Sequence, residues 1–269
     1  CEVTVVDPIP ANTPVISLTV KENALINDID LIAADMDTPV WIESTPGIYT
    51  QLTVDNDWFG YFDYQATGTT VKIYGEVIIF ECMGNGNNFS AFDISGNTGI
   101  QELLLEDNNL TSLDVSQNPN LTYVSISGNS FSTNALNDLY CALPSVNEGL
   151  LFVLDNPDDM DFATALASNS NIAKEKGWRV EYSNSPGVII TEGTYTCGSV
   201  YDIMISETAK TINVGDSHTL TAMVLPSTAD NQNITWSSDD VSVATVENGV
   251  VTGLEIGRAS CRERVFRTV

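Results

Sequence analysis

Between Val77 and Asn129 one short pattern, apolar-x-x-apolar-x-apolar-x-x-Asn, occurs five times in succession. It runs through Val77, Phe80, Cys82 and Asn85, then Phe89, Phe92, Ile94 and Asn97, then Ile100, Leu103, Leu105 and Asn108. Leu110, Leu113, Val115 and Asn118 follow, and Leu121, Val124, Ile126 and Asn129 complete the series. Alternating apolar positions put one side of a short strand into a core. One unit cannot bury that side alone, so successive units must stack. Each Asn falls where the chain turns, and its amide can bond backbone groups left unpaired between neighbouring units. Units 10 to 12 residues apart are too short for a whole coil, and they fit alternate sides of a flattened coil of about 21 residues.

The pattern then changes period. Ser132 to Leu143 predicts a helix with Ser132 or Thr133 as cap and Ala135, Leu136, Leu139, Tyr140 and Leu143 on one face, stopped by Pro144. Leu151, Val153 and Asn156 restore the strand pattern. A second helix is predicted from about Asp161 to Lys176, ending before Gly177, with Trp178 and Val180 in a last strand. The rungs of the resulting parallel sheet are Phe80, Leu103, Val124, Leu151 and Trp178. On the units NNLTSLDVSQN and PNLTYVSISGN, the segment resembles the leucine-rich repeat of bacterial surface proteins of the LTxLDVSxN type. That resemblance implies a mixed α/β leucine-rich-repeat solenoid over residues 76–183.

If those rungs face inward, the residues beside them face solvent. The central outward positions are Glu81, Leu104, Ser125, Phe152 and Arg179, flanked by Glu102, Glu106 and Tyr123. Exposed Leu, Phe and Tyr ringed by carboxylates suit a recognition surface, although the same side chains could pack on a neighbouring domain or stand singly.

Residues 1–14 contain the Pro-rich stretch EVTVVDPIPANTP and read as a linker. Residues 15–75 alternate in the manner of strands (ISLTV, VWIES, YTQLTV, TTVKIY) and predict a small antiparallel β unit capping the first coil. Within it, the aromatics Trp58, Phe59, Tyr61, Phe62 and Tyr64 read as core before glycan platform. A spacer over 184–199 leads to TINVGDSHTLTAMVLPSTADNQNITWSSDDVSVATVENGVVTGLEIG, within residues 200–255. This segment resembles the group 2 bacterial immunoglobulin-like domain. Leu220, Ala222 and Val224 alternate, Trp236 is a central core candidate, and Asn248-Gly249 is a strong hairpin turn. Where that family supplies a last strand, Arg258 and Cys261 stand instead, so the expectation is a C-terminal all-β immunoglobulin-like sandwich, incomplete and with an open edge.

Charge narrows the partners. Against 36 acidic residues stand 10 basic ones, a net charge of -26; this disfavours nucleic acid and anionic lipid alike. Four of the basic residues (Arg258, Arg262, Arg264, Arg267) crowd into the last twelve positions. The stretch IGRASCRERV, Ile256 to Val265, back-translates to ATCGGAAGAGCGTCGTGTAGGGAAAGAGTG, which resembles a sequencing-library adapter. Residues 256–269 are therefore expected to be an artefactual tail, a genuine basic tail being the alternative. No apolar run is long enough to span a membrane. The five cysteines show no C-x-x-C spacing, which leaves the redox compartment open.

Catalytic chemistry finds little support. The single histidine, His218, lies in a predicted strand, and no phosphate loop or H-E-x-x-H motif occurs. Asp155, Asp158, Asp159 and Asp161 form a weak calcium candidate, because hard cations take oxygen ligands, yet acids also favour the start of the helix that follows. Cys1 is either a lipid-modified first residue or the point where a fragment begins. Cys82 occupies a core position and is expected to be a buried thiol. The expectation is a non-catalytic extracellular or cell-surface protein, lipid-anchored in one reading, without cofactor, that binds a protein or glycan through the solenoid face. A structural stalk is the alternative, and a carboxylate-dependent glycoside hydrolase comes third.

Overall fold

A computed structural model describes residues 9–35, 39–52, 61–86, 88–156, 162–200, 202–207, 209–225 and 229–264 of the chain. Two compact units divide it, Cys1–Thr194 and Tyr195–Val269.

The first unit contains, in chain order, β1 (Val15–Val20), β2 (Leu25–Ala33), β3 (Val40–Thr45), β4 (Ile48–Leu52), β5 (Phe62–Gln65), β6 (Thr70–Tyr74), β7 (Val77–Cys82) and β8 (Phe89–Gly96). Then come β9 (Glu102–Leu104), β10 (Tyr123–Ser125), α1 (Thr133–Ala142), β11 (Gly149–Leu154), α2 (Phe162–Leu166), α3 (Asn171–Glu175) and β12 (Trp178–Tyr182). One sheet is antiparallel, in the order β4-β3-β6-β1-β8. The other is mixed, in the order β12-β11-β10-β9-β7-β2-β5. From β12 to β7 its neighbours are parallel, while β2 and β5 join antiparallel. A single buried cluster runs through both sheets and the helices, and the Phe80 and Phe92 rings meet at 5.2 Å between the sheets.

This architecture overturns the mixed α/β leucine-rich-repeat solenoid with an N-terminal β cap. Among the described residues 41% are strand and 8% helix, in several sheets with three short helices. The physical reason lies in the spacing: units of 10 to 12 residues leave room for a strand or an extended stretch but not a helix. Phe89–Gly96, expected on a connecting side, is an eight-residue strand of the antiparallel sheet. Nor is residues 15–75 a separate cap, since β2 and β5 continue the mixed sheet itself.

Register refines the rungs. Phe80, Leu103, Val124 and Leu151 lie opposite one another on neighbouring parallel strands, all fully buried. The next partner is Val180 rather than Trp178, which stands opposite Gly149 instead. The Trp178 indole N–H donates to the Pro144 carbonyl at 2.7 Å.

Buried asparagines tie the strand ends together. Asn108 Nδ2 donates to the Cys82 carbonyl at 2.8 Å and the Leu105 carbonyl at 3.0 Å, while its Oδ1 accepts from Asn85 N–H at 3.2 Å. Asn129 Nδ2 donates to the Leu105 carbonyl at 2.7 Å and the Ile126 carbonyl at 3.0 Å, and Oδ1 accepts from Leu110 N–H at 3.0 Å. Asn118 Nδ2 likewise reaches the Ile94 and Asn97 carbonyls, at 3.1 and 2.8 Å.

Helix α1 starts as its cap predicts, with Ser132 Oγ accepting from Ala135 N–H, and it buries Leu136, Leu139 and Tyr140. The single helix expected over 161–176 is instead α2 and α3 with a break at Ser168–Ser170. Those side chains compete with helical hydrogen bonding: Ser168 Oγ donates to the Ala165 carbonyl, and Ser170 Oγ donates to the Ile189 carbonyl at 3.0 Å. At Gly177, φ is +87°, and a Cβ there would run into the Val146 carbonyl, so the helix ends on the one residue that fits.

The second unit holds β13 (Asp202–Ile205), β14 (Ser217–Thr219), β15 (Ala222–Leu225), β16 (Thr235–Ser238), β17 (Ala244–Glu247), β18 (Val250–Gly253) and β19 (Cys261–Arg264). They pair antiparallel as β13-β15, β14-β18-β17 and β16-β19. Asn248 and Gly249, with φ of 48° and 82°, turn β17 into β18 as the sequence predicts. Two expectations need correction. Trp236 is half-buried rather than central, and Val224, Ala229 and Ala244 are the buried apolar residues among those described. The edge of β16 is not open either, because Cys261–Arg264, within the stretch expected to be foreign, pairs with it.

The asparagine bonds yield a stability prediction. Asn129→Ala leaves the Leu110 N–H and the Leu105 and Ile126 carbonyls short of partners, so it should cost about 2–4 kcal/mol. Asn120→Ala, at an exposed amide bonded only to the Thr98 carbonyl among the described contacts, should stay within about 0.5 kcal/mol. Urea unfolding followed through the transition of the first unit compares the two, and equal effects would refute the structural role.

Candidate functional site

Strand alternation that buries Phe80, Leu103 and Val124 turns their neighbours to the opposite face of the mixed sheet. One row across that face reads Asp30 (β2), Glu81 (β7), Leu104 (β9), Ser125 (β10), Phe152 (β11) and Glu181 (β12). The adjacent row reads Ile79, Glu102, Tyr123, Leu150 and Arg179. The structure therefore brings Glu81, Glu102, Leu104, Tyr123, Ser125 and Phe152 together, with Glu106 just beyond the end of β9. Arg179 belongs to the second row at the β12 edge, not in line with Phe152, and it pairs with Glu181.

The face is less exposed than expected. Glu81 is 2% exposed and Ser125 fully buried, and Asp30 is 5% exposed. Leu104, Glu102, Glu106, Tyr123 and Phe152 are half-buried. The Tyr123 and Phe152 rings lie 5.5 Å apart, tilted by 53°. Tyr61 O–H donates to Glu81 Oε1 at 2.9 Å. Asp30 Oδ2 is a buried atom without a hydrogen-bond partner, although most buried polar atoms in proteins have one, while the Ser125 hydroxyl bonds the Glu106 carboxyl.

Crowded acids in a partly dehydrated setting resist ionisation. Burial pushes the carboxyl of Asp30 up, and burial with the charges of Asp30, Glu106 and Asp28 does the same for Glu81, against the Tyr61 hydrogen bond. Burial raises Glu102, and burial with the nearby Asp107 and Asp155 raises Glu106 against the hydrogen bond from Ser125. The hydrogen bond to Glu81, together with burial and the acidic field, pushes Tyr61 up to about 12. Among the described residues no Lys or Arg forms an ion pair with Asp30, Glu81, Glu102 or Glu106.

Asp28 and Asp30 join this face without having been singled out from the sequence, and so does Tyr61, which had been read with its aromatic neighbours as core. The signal was present in LINDIDLIA, where acids alternate with Ile and Leu in the manner of a strand with one acidic side. It was hidden by reading residues 15–75 as a separate cap. Of the aromatic cluster, Phe62 and Tyr64 pack against the core and Tyr61 is half-exposed, while Trp58 and Phe59 lie outside the described residues.

The other candidates separate. Asp155 Oδ1 accepts from the Ser183 hydroxyl at 2.7 Å. Asp158, Asp159 and Asp161 lie outside the described residues, as does Cys1. Among the described residues no three His, Cys, Asp or Glu side chains converge to hold a metal. In the second unit His218 Nε2 meets Glu207 Oε1 at 3.0 Å, and both line a cavity that Cys261 also borders. Burial raises the Cys261 thiol, the opposite of what activates a nucleophilic cysteine. Cys141 and Cys197 are disulfide-bonded, whereas Cys82 and Cys261 are free.

The raised carboxyls set a pH dependence. Between their ordinary values, 3.8 for Asp30 and 4.5 for the glutamates, and their raised values, the folded unit holds more protons than the unfolded chain. Stability therefore falls as pH rises through that window and is recovered as pH is lowered from neutrality toward about 5. The overall charge acts in the same direction, so the discriminating quantity is a difference. Glu81→Gln with Glu106→Gln should flatten the rise in Tm of the first unit between pH 7 and pH 5, measured by calorimetry. An unchanged slope would show that these two groups are not the cause.

Comparison with known proteins reaches the second unit. Residues 199–261 match the family model of the bacterial Ig-like domain, group 2. An uncharacterized protein of Clostridium acetobutylicum is 41% identical over 56 residues, which is 20% of this chain and 6% of that relative. The aligned stretch thus spans a small part of the relative's length. No solved structure matches the chain.

Proposed function

We propose that the chain is a non-catalytic part of a larger bacterial surface protein, in which the first unit binds a protein or glycan at the outer face of its mixed sheet. The Ig-like domain then serves as a spacer that presents it. The observation that carries the reading is the group of half-buried Leu104, Tyr123 and Phe152, which the register sets in rows with the acids Asp30, Glu81 and Glu102. Aromatic residues ringed by polar ones are typical of interface centres.

The setting supports a surface location. Group 2 bacterial Ig-like domains are typically extracellular or surface modules. Disulfide-bonded Cys141 and Cys197 suit an oxidising compartment. Among the described residues no helix is long and apolar enough to cross a membrane.

The test is a glycan array and a panel of purified host extracellular proteins, probed with the chain and with its Leu104→Ser, Tyr123→Ser, Phe152→Ser triple variant. Binding by the native chain should fall at least about tenfold in the variant, because hot-spot aromatics commonly contribute that much or more. Unchanged circular dichroism would confirm the fold. Binding that survives the triple change rejects this face, and a chain that binds nothing in either format favours a stalk.

A further inference from the structure

We propose that Met204 and Met223, which face each other across β13 and β15, form a surface site for a soft monovalent cation of the Cu(I) class, held between their two thioether sulfurs. The site belongs to the second unit and does not depend on the sheet face of the first.

Register makes the pair. β13 and β15 run antiparallel with Met204 directly opposite Met223, flanked by Ile203 opposite Val224 and Ile205 opposite Ala222. Side chains directly opposite one another share a face, with Cβ atoms about 4.5–5.5 Å apart. Alternation sends Val224 inward, where it is buried, and turns the two methionines outward, where they are 54% and 52% exposed. A methionine side chain has three rotatable bonds, so two sulfurs across such a gap can close on one ion without moving the backbone. Of the chain's other methionines, Met83 follows β7 in the first unit, and Met36 and Met160 lie outside the described residues.

The surroundings argue against an apolar docking patch. On the same side of the two strands stand Asp202, Ser206 and Thr221, all exposed, so the methionines form a pair in a polar setting, far short of the area a protein interface needs.

The donor atoms select the ion. A thioether is neutral and polarisable, and soft sulfur ligands of this kind favour Cu(I). Zinc takes thiolate, imidazole or carboxylate, and calcium takes oxygen; among the described residues no three His, Cys, Asp or Glu side chains converge to offer such a set. A thioether also has no proton to lose before it binds, unlike a thiol or an imidazolium. With 36 acidic residues against 10 basic ones, the chain's own field gathers cations at its surface.

The experiment titrates the full chain with silver nitrate in chloride-free buffer, Ag(I) being a redox-inert ion of the same soft class. Accessible thiols are first blocked with N-ethylmaleimide, and the methionine methyl groups carry 13C for detection by NMR. The Met204 and Met223 signals, assigned from single leucine variants, should shift together and saturate at one ion per pair. They should do so at Ag(I) concentrations at least about tenfold below those that move the other methionines, because two linked ligands act as a chelate. Met204→Leu keeps volume and apolar character, and it should raise the concentration needed to move Met223 at least about tenfold; Met223→Leu should do the same to Met204. Titrations at pH 5 and pH 7 should coincide, and Zn(II) should move neither signal. Met223 that titrates unchanged without Met204 overturns the inference, as does movement of the other methionines at the same concentration. A titration weakened about tenfold at pH 5 assigns the ion to a proton-binding group and overturns it equally.

Discussion

The asparagine side chains between the strands hold the first unit in register. Each lies where a short strand gives way to a turn, in a place where backbone groups would otherwise be buried without partners. Asn108 links the Cys82 carbonyl to the Asn85 amide, and Asn129 links the Leu105 carbonyl to the Leu110 amide. β9 and β10 are each only three residues long, too short to fix their own alignment by ladder bonds alone. Because a slip of one residue reverses both faces of a strand, these amides decide which side chains the sheet buries and which it presents.

From that alignment follow two different faces. Phe80, Leu103, Val124, Leu151 and Val180 fill the interior. Their neighbours form a face that is polar in composition and short of water, where Asp30 and Glu81 are nearly inaccessible. Burying acids without cations works against stability. A fold that keeps them there bears a cost that a bound partner could offset, as residues under functional constraint commonly do.

Much of this could be read from the chain before any coordinates. The recurring Asn and its apolar partners marked the buried positions, Ser132 marked the start of α1, and Asn248-Gly249 marked a hairpin. What periodicity could not supply was how distant segments join. Nothing local in LINDIDLIA states that β2 will add to β7, so Asp30 was missed, Tyr61 was read as core, and residues 15–75 were taken for a cap. The solenoid failed for a related reason: a repeat of apolar positions fixes which residues are buried but not whether the alternate unit, here Phe89–Gly96, closes a coil or enters a second sheet. Around Ser168–Ser170, hydroxyls that bond the Ala165 and Ile189 carbonyls broke a helix that the apolar spacing alone would have continued. The candidate face was legible in its glutamates and aromatics, because these sit on strands whose alternation is plain. Its depth was not, since dehydration depends on what packs around each group.

Cys82 sits at the junction of the antiparallel and parallel halves of the mixed sheet, opposite Ile29 of β2. It is fully buried, with Asn85 Nδ2 donating to its sulfur at 3.3 Å, and burial drives its thiol far toward the protonated form. A thiol so placed cannot meet an alkylating reagent while the sheet is closed. Its labelling rate is thus a natural clock for transient separation of β2 from β7. The chain carries a reporter of its own breathing at the seam where the proposed face begins.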